Sequence, residues 1–138
     1  MAVGYSTLYG DMCGSLSVLG DVYKTQIYAL AKYINRNHEI IPNEIIEKAP
    51  SAELRPGQKD SDSLPDYDML DEILKLYIEG KKSKDEITME GYDSSLVERI
   101  VNMVNANEYK RYQAPPIIRV SSKAFGKGRI MPLVAKYQ

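Results

Sequence analysis

The side chains best suited to chemistry in this sequence are cations, and they are unevenly spread. From Tyr109 onward the chain carries Lys110, Arg111, Arg119, Lys123, Lys127, Arg129 and Lys136, with no Asp or Glu. Residues 60–72 are acidic instead. On a chain of net charge −1, a basic tail predicts a local anion site, not a general polyanion binder. Cys13 is the single cysteine, which excludes an internal disulfide and a cysteine-built metal cluster. With no histidine near it in sequence, it reads as a small packed thiol. His38 is the single histidine, so a histidine-built zinc site is not expected; it reads as decoration at a helix end. The glycines of residues 10–14 and of Gly126-Lys127-Gly128 lack the spacing of either phosphate-loop motif.

These groups must be positioned by short helices. Glycines punctuate residues 1–20, which read as loop. Asp21 is the expected N-cap of a helix over about residues 21–36, with Val22, Ile27, Leu30, Ala31 and Ile34 at helical spacing. Pro42 opens a short helix through Ile45 and Ile46, and Pro50 ends it. Residues 50–66 hold three prolines and a glycine among charges and predict a mobile loop, a length usually tied to function or disorder. Leu70, Ile73, Leu74 and Tyr77 predict a helix over residues 67–79, and Gly80 sits where a C-cap glycine belongs. A short helix follows Ser83. Asp93 caps a stronger one with Val97, Ile100, Val101 and Val104 on one face, running to Tyr109 or slightly beyond, until Ala114-Pro115-Pro116 stops it. Ile117, Ile118 and Val120 suggest a short strand. The chain is thus expected to be mainly α, with helices within residues 21–49 and 67–113 and an irregular basic tail over 114–138.

At 138 residues, 43% of them hydrophobic and 27% charged, the chain fits one soluble domain. No apolar run approaches the roughly 20 residues of a membrane span. The N-terminus lacks the pattern of a signal peptide. A reducing cytoplasm is the expected compartment.

Four stretches carry a resemblance. They are G-Y-S-T-L-Y-G-D-M-C-G with G-D-V-Y-K-T-Q-I-Y-A-L-A (residues 4–14 and 20–31), K-A-P-S-A-E-L-R-P-G-Q-K-D with D-S-L-P-D-Y-D-M-L-D (48–60 and 62–71), N-E-Y-K-R-Y-Q-A-P-P (107–116), and R-V-S-S-K-A-F-G-K-G-R (119–129). In order and spacing they resemble the C-terminal half of the synthetase domain of glutamine-dependent NAD synthetases. The resemblance implies the helical portion of an α/β adenine-nucleotide α-hydrolase-like (ATP pyrophosphatase) domain. It implies a reaction in which ATP adenylates deamido-NAD and glutamine-derived ammonia displaces AMP to give NAD, with ATP as substrate and Mg2+ in the parent enzyme.

The same resemblance assigns Lys24 and Ser51 to ATP. It assigns Tyr5, Ser6, Thr7 and Leu8, with Tyr109 and Lys110, to deamido-NAD; no residue is assigned to catalysis or to a metal. Residue type alone offers plainer readings. Lys24 is also a lysine in the first turn of a helix, a place the helix dipole makes mildly unfavourable for a cation. Ser51 is also a turn-capping serine after Pro50, with Glu53 and Arg55 as a solvated ion pair. Lys110 and Arg111 decorate a helix C-terminus that favours cations. Tyr5 to Leu8 form a glycine-bounded turn.

The family's S-G-G-x-D-S loop, its N-K-S-E element with the metal-binding glutamate, and its glutaminase domain are not in this sequence. The chain is therefore expected to be a piece of a larger enzyme, inactive alone, with no nucleotide or metal bound. Its partners would be the missing parts of that enzyme or another copy of itself, and neither nucleic acid nor membrane. The alternative is a small helical interaction module whose basic tail binds an anionic partner.

Overall fold

The computed structural model describes residues 1–123 and 129–134. Gly126-Lys127-Gly128 and Lys136 lie outside them. The described residues are mostly helical, with six α-helices in order: α1 Lys24–Ile34, α2 Asn43–Glu47, α3 Tyr67–Leu74, α4 Lys84–Met89, α5 Ser94–Ala106 and α6 Glu108–Tyr112. A 3-10 turn, Asp60–Asp62, precedes α3, and a π-helical stretch, Lys75–Glu79, continues it. The chain divides into two compact units, one of Met1–Asp21 with Glu72–Gln138 and one of Val22–Asp71.

In the first unit α5 forms as its sequence dictates. The Asp93 carboxylate accepts from the Leu96 amide at 2.8 Å, satisfying a donor the helix leaves open. Val97, Ile100, Val101 and Val104 recur at helical spacing and are all buried. α4 packs against α5 and starts at a capping box. Glu86 donates its amide to the Ser83 hydroxyl, and its carboxylate accepts from the Ser83 amide at 2.7 Å. Gly80 is the C-cap residue but is right-handed, with φ −72°; Lys81 takes the left-handed conformation, with φ 55°. A Cβ on Gly80 would stand 2.6 Å from the Leu76 carbonyl oxygen, so close approach, not handedness, requires glycine there.

The helix expected to continue from α5 breaks at Asn107, and α6 restarts at Glu108. The break turns the Asn107 side chain back onto Met103 O at 2.8 Å. The expected strand at 117–120 is reduced to a single parallel bridge between Ser17 and Ile117. Its neighbours' amides go elsewhere: the Asp21 carboxylate accepts from Val120 N at 2.7 Å, Ser121 N at 2.6 Å and the Ser121 hydroxyl at 2.9 Å. Asp21 is buried and does not cap α1, correcting the expectation from sequence.

In the second unit α1 begins at Lys24, with Tyr23 as its N-cap residue. The Asp71 carboxylate of α3 accepts from the Thr25 amide at 2.8 Å, taking the role expected of Asp21 from 46 residues away. Asn35 ends α1 and gathers the following turn through Ile40 N and Ile41 N. His38 lies exposed in that turn. After α2 the chain runs through residues 50–59 and is tied off where the Asp60 amide donates to Pro50 O at 2.9 Å.

Candidate functional site

The first unit brings the first and third of the resemblance-bearing stretches together through α6. α6 presents Asn107, Lys110 and Arg111, at its N-cap and one turn on, toward the N-terminal segment. Arg111 Nη1 donates to Ala2 O at 2.5 Å, and Asn107 Nδ2 to Val3 O at 3.1 Å. Lys110 Nζ donates to Gly4 O at 2.6 Å and Ser6 O at 2.8 Å. One turn of helix thus supplies donors to four carbonyls of an irregular segment, of which Gly4 O also accepts from Ser6 N at 2.8 Å. Gly4 has φ 68°, and the segment turns there toward Tyr5.

The Tyr5–Leu8 segment leads into a closed turn. The Asp11 carboxylate accepts from the Thr7 amide at 2.9 Å and the Thr7 hydroxyl at 3.3 Å. The Thr7 amide is the chief cause holding the Asp11 carboxyl below its usual value. The Ser6 hydroxyl donates to Met12 Sδ at 3.1 Å. Tyr5 is half-buried and Tyr109 exposed. Lys110 is therefore more than a cation decorating a helix end. An ammonium has three donors; two hold the Gly4 and Ser6 carbonyls, and one remains.

Arg111 differs altogether from the exposed end-of-helix cation expected. It is buried and paired with buried Glu108, Nη2 to Oε2 at 2.8 Å and Nε to Oε2 at 3.1 Å. Nη2 also donates to Val104 O. Burial pushes the guanidinium value down while Glu108 opposes the shift. The other Glu108 oxygen accepts from Met131 N at 3.3 Å.

The second unit holds Lys24 and Ser51. The Lys24 ammonium stands 5.6 Å from the Tyr28 ring centre and 5.7 Å from that of Tyr67, within cation–π range. Two aromatic faces offset the unfavourable first-turn position. The Ser51 hydroxyl accepts from Glu53 N at 3.0 Å, the expected turn cap, and its own proton stays available to donate. Glu53 has φ 52° and pairs with Lys48, not Arg55; Arg55 lies 3.9 Å from Asp62. Residues 48–59 surround an open cleft of about 600 Å³ whose lining includes Ser51, Arg55 and Lys59. No group of three or more His, Cys, Asp or Glu side chains among the described residues is placed to hold a metal ion. The Mg2+ implied by the resemblance thus finds no ligand set among the described residues.

Sequence reasoning passed over Asn107, Asp60 and Asp71, and it read Asp21 only as a helix cap. Each is a short polar side chain within a quoted stretch, and its position there was the one available signal. Val3, Val120 and Thr25, partners of Asn107, Asp21 and Asp71, are distant from them in sequence, so no periodicity marks them.

Known proteins resemble this chain in sequence and in fold. The family model for NAD synthase matches residues 1–114, and the chain belongs to that family. It is 52% identical over 136 residues to the glutamine-dependent NAD(+) synthetase of Acinetobacter baylyi, covering 97% of this chain and 25% of that protein. It is 48% identical over 140 residues to the Thermotoga maritima protein of the same name, covering 100% and 24%. Among solved structures, the glutamine-dependent NAD+ synthetase of Acinetobacter baumannii in complex with ADP matches with a TM-score of 0.51 and 42% identity, over 96% of this chain and 23% of that one. The chain spans about a quarter of the length of the curated relatives it matches.

Proposed function

We propose that this chain supplies substrate contacts to a glutamine-dependent NAD synthetase, as part of its ATP pyrophosphatase-type α/β domain. The observation that supports this reading is the Lys110 clamp, in which Nζ donates to the Gly4 and Ser6 carbonyls. In the reaction, a carboxylate oxygen of the deamido-NAD nicotinate ring attacks the α-phosphorus of ATP and pyrophosphate leaves. Ammonia then attacks the acyl carbon, and AMP leaves with the bonding pair. Tyr5 offers an aromatic face to the pyridine ring, with Ser6, Thr7, Leu8 and Tyr109 beside it. The third Lys110 N–H is free for a substrate oxygen. Lys24 offsets charge on the departing pyrophosphate, and Ser51 donates its proton to a phosphate oxygen.

The 138 residues alone carry no phosphate loop and are expected to make no NAD from deamido-NAD, ATP and ammonia. No helix among the described residues is long and apolar enough to cross a membrane, and the proposed setting is the cytoplasm. Exposed Tyr9, Leu16, Val18 and Leu19 leave an apolar surface that favours association with another copy. The deciding experiment replaces the matching segment of the Acinetobacter baylyi enzyme with this chain. Glutamine-dependent NAD formation by the chimera is expected, and its loss in a folded chimera would overturn the assignment.

A further inference from the structure

The Lys24 ammonium is not held by a carboxylate in any described contact; its described neighbours are two tyrosine rings. A ring attracts a cation over its face and not at its edge, so the orientation of Tyr67 matters. That orientation has a visible cause. The Tyr67 hydroxyl donates to Asp60 Oδ2 at 2.5 Å. Asp60 is more than nine-tenths buried, at 7% exposure, and its Oδ1 has no hydrogen-bond partner. A buried carboxylate oxygen left unpaired is costly, so burial alone gives no reason for an acid here. Asp60 also anchors the loop that carries Ser51, because its amide donates to Pro50 O at 2.9 Å. α3 completes the arrangement: Asp71, one turn after Tyr67, accepts from Thr25 N beside Lys24. Tyr67 therefore faces Lys24, and Asp60 ties down Pro50, the residue before Ser51.

We propose that Asp60 and Tyr67 are positioning residues for ATP: Asp60 orients the Tyr67 ring against the Lys24 ammonium and fixes the end of the Ser51 loop with the same residue. This rests on the ATP reading of Lys24 and Ser51, but its geometry is testable without nucleotide. In the 138-residue protein, the two ring faces shift the Lys24 ε-methylene proton resonances upfield. Tyr67→Phe keeps the ring and removes only the hydroxyl, and it is expected to lose at least half the Tyr67 share of that shift, measured as the difference from Tyr67→Leu. Asp60→Asn keeps an acceptor and is expected to retain most of it. An unchanged Lys24 shift in a folded Tyr67→Phe variant overturns the proposal. Titration with ATP provides the second readout. If the parent protein binds, Tyr67→Phe is expected to weaken binding about fivefold, and equal affinity overturns the link to ATP. If the parent shows the resonance shift but no ATP binding, the positioning stands and the ATP reading for the isolated chain falls.

Discussion

The Asn107 side chain occupies the space a Cβ on Gly4 would need, with its Cγ 2.0 Å and Oδ1 2.1 Å from that position. Gly4 is also left-handed, with φ 68°. Two independent constraints thus meet at one glycine. Gly4→Ala is expected to destabilise the protein by about 2–4 kcal/mol through strain and overpacking together. Gly57 shares a positive φ of 71° but has open space around its Cβ position, so Gly57→Ala costs only about 1–2 kcal/mol. Urea unfolding of the two variants separates the cases; equal losses would show that Asn107 does not press on Gly4.

Lys110 binds two carbonyls of the N-terminal segment. Hydrogen bonds to a charged group contribute about 1.5–3 kcal/mol, so Lys110→Met is expected to cost on that order. In the chimeric synthetase it should raise KM for deamido-NAD tenfold or more and leave KM for ATP nearly unchanged. A matching rise in both KM values would place Lys110 in general stability and not in contact with deamido-NAD.

Glu108 and Arg111 form a buried pair. Glu108→Ala strands the guanidinium and is expected to cost about 3–5 kcal/mol, whereas replacing both residues by Met is expected to cost far less. Chemical denaturation of single and double variants gives the coupling. Additive losses would show that the two side chains do not act as a pair.

Acid should weaken the helix starts. The Asp93 carboxyl lies below its usual 3.8, chiefly through the Ser95 hydroxyl and next the Leu96 amide. Glu86 lies below its usual 4.5, chiefly through the Ser83 amide. A depressed value in the folded state means the contribution is fully present above the unfolded value. It is lost as pH falls through the folded one. The thermal midpoint is expected to fall as pH drops below about 4.5, and Asp93→Asn, which still caps, should reduce that slope. A variant with the parent slope would remove Asp93 from the acid response.

The proposed self-association rests on the exposed side chains of Tyr9, Leu16, Val18 and Leu19. Sizing with light scattering is expected to give a dimer or larger species at micromolar concentration, and Leu16→Lys with Val18→Lys should shift it toward monomer. A parent protein that runs as a monomer throughout would count against this surface.

What the sequence determined by itself was local or long in register. Asp93 and the Val97–Val104 stripe specify α5 because a cap and a 3.6-residue period act over a few neighbours. The four stretches identify the family because their order survives without any knowledge of contacts. The tertiary structure decided where short polar side chains spend their hydrogen bonds. Asp21 looked like a cap for α1, yet it holds Val120 and Ser121, while Asp71 serves Thr25. Lys110 and Arg111 are adjacent and alike in charge, yet one clamps a loop and the other is buried against Glu108. The pairings of Asp21, Asp71 and Lys110 join residues dozens of positions apart. A carboxylate or ammonium can satisfy any nearby amide or carbonyl, so only the folded path of the chain selects which.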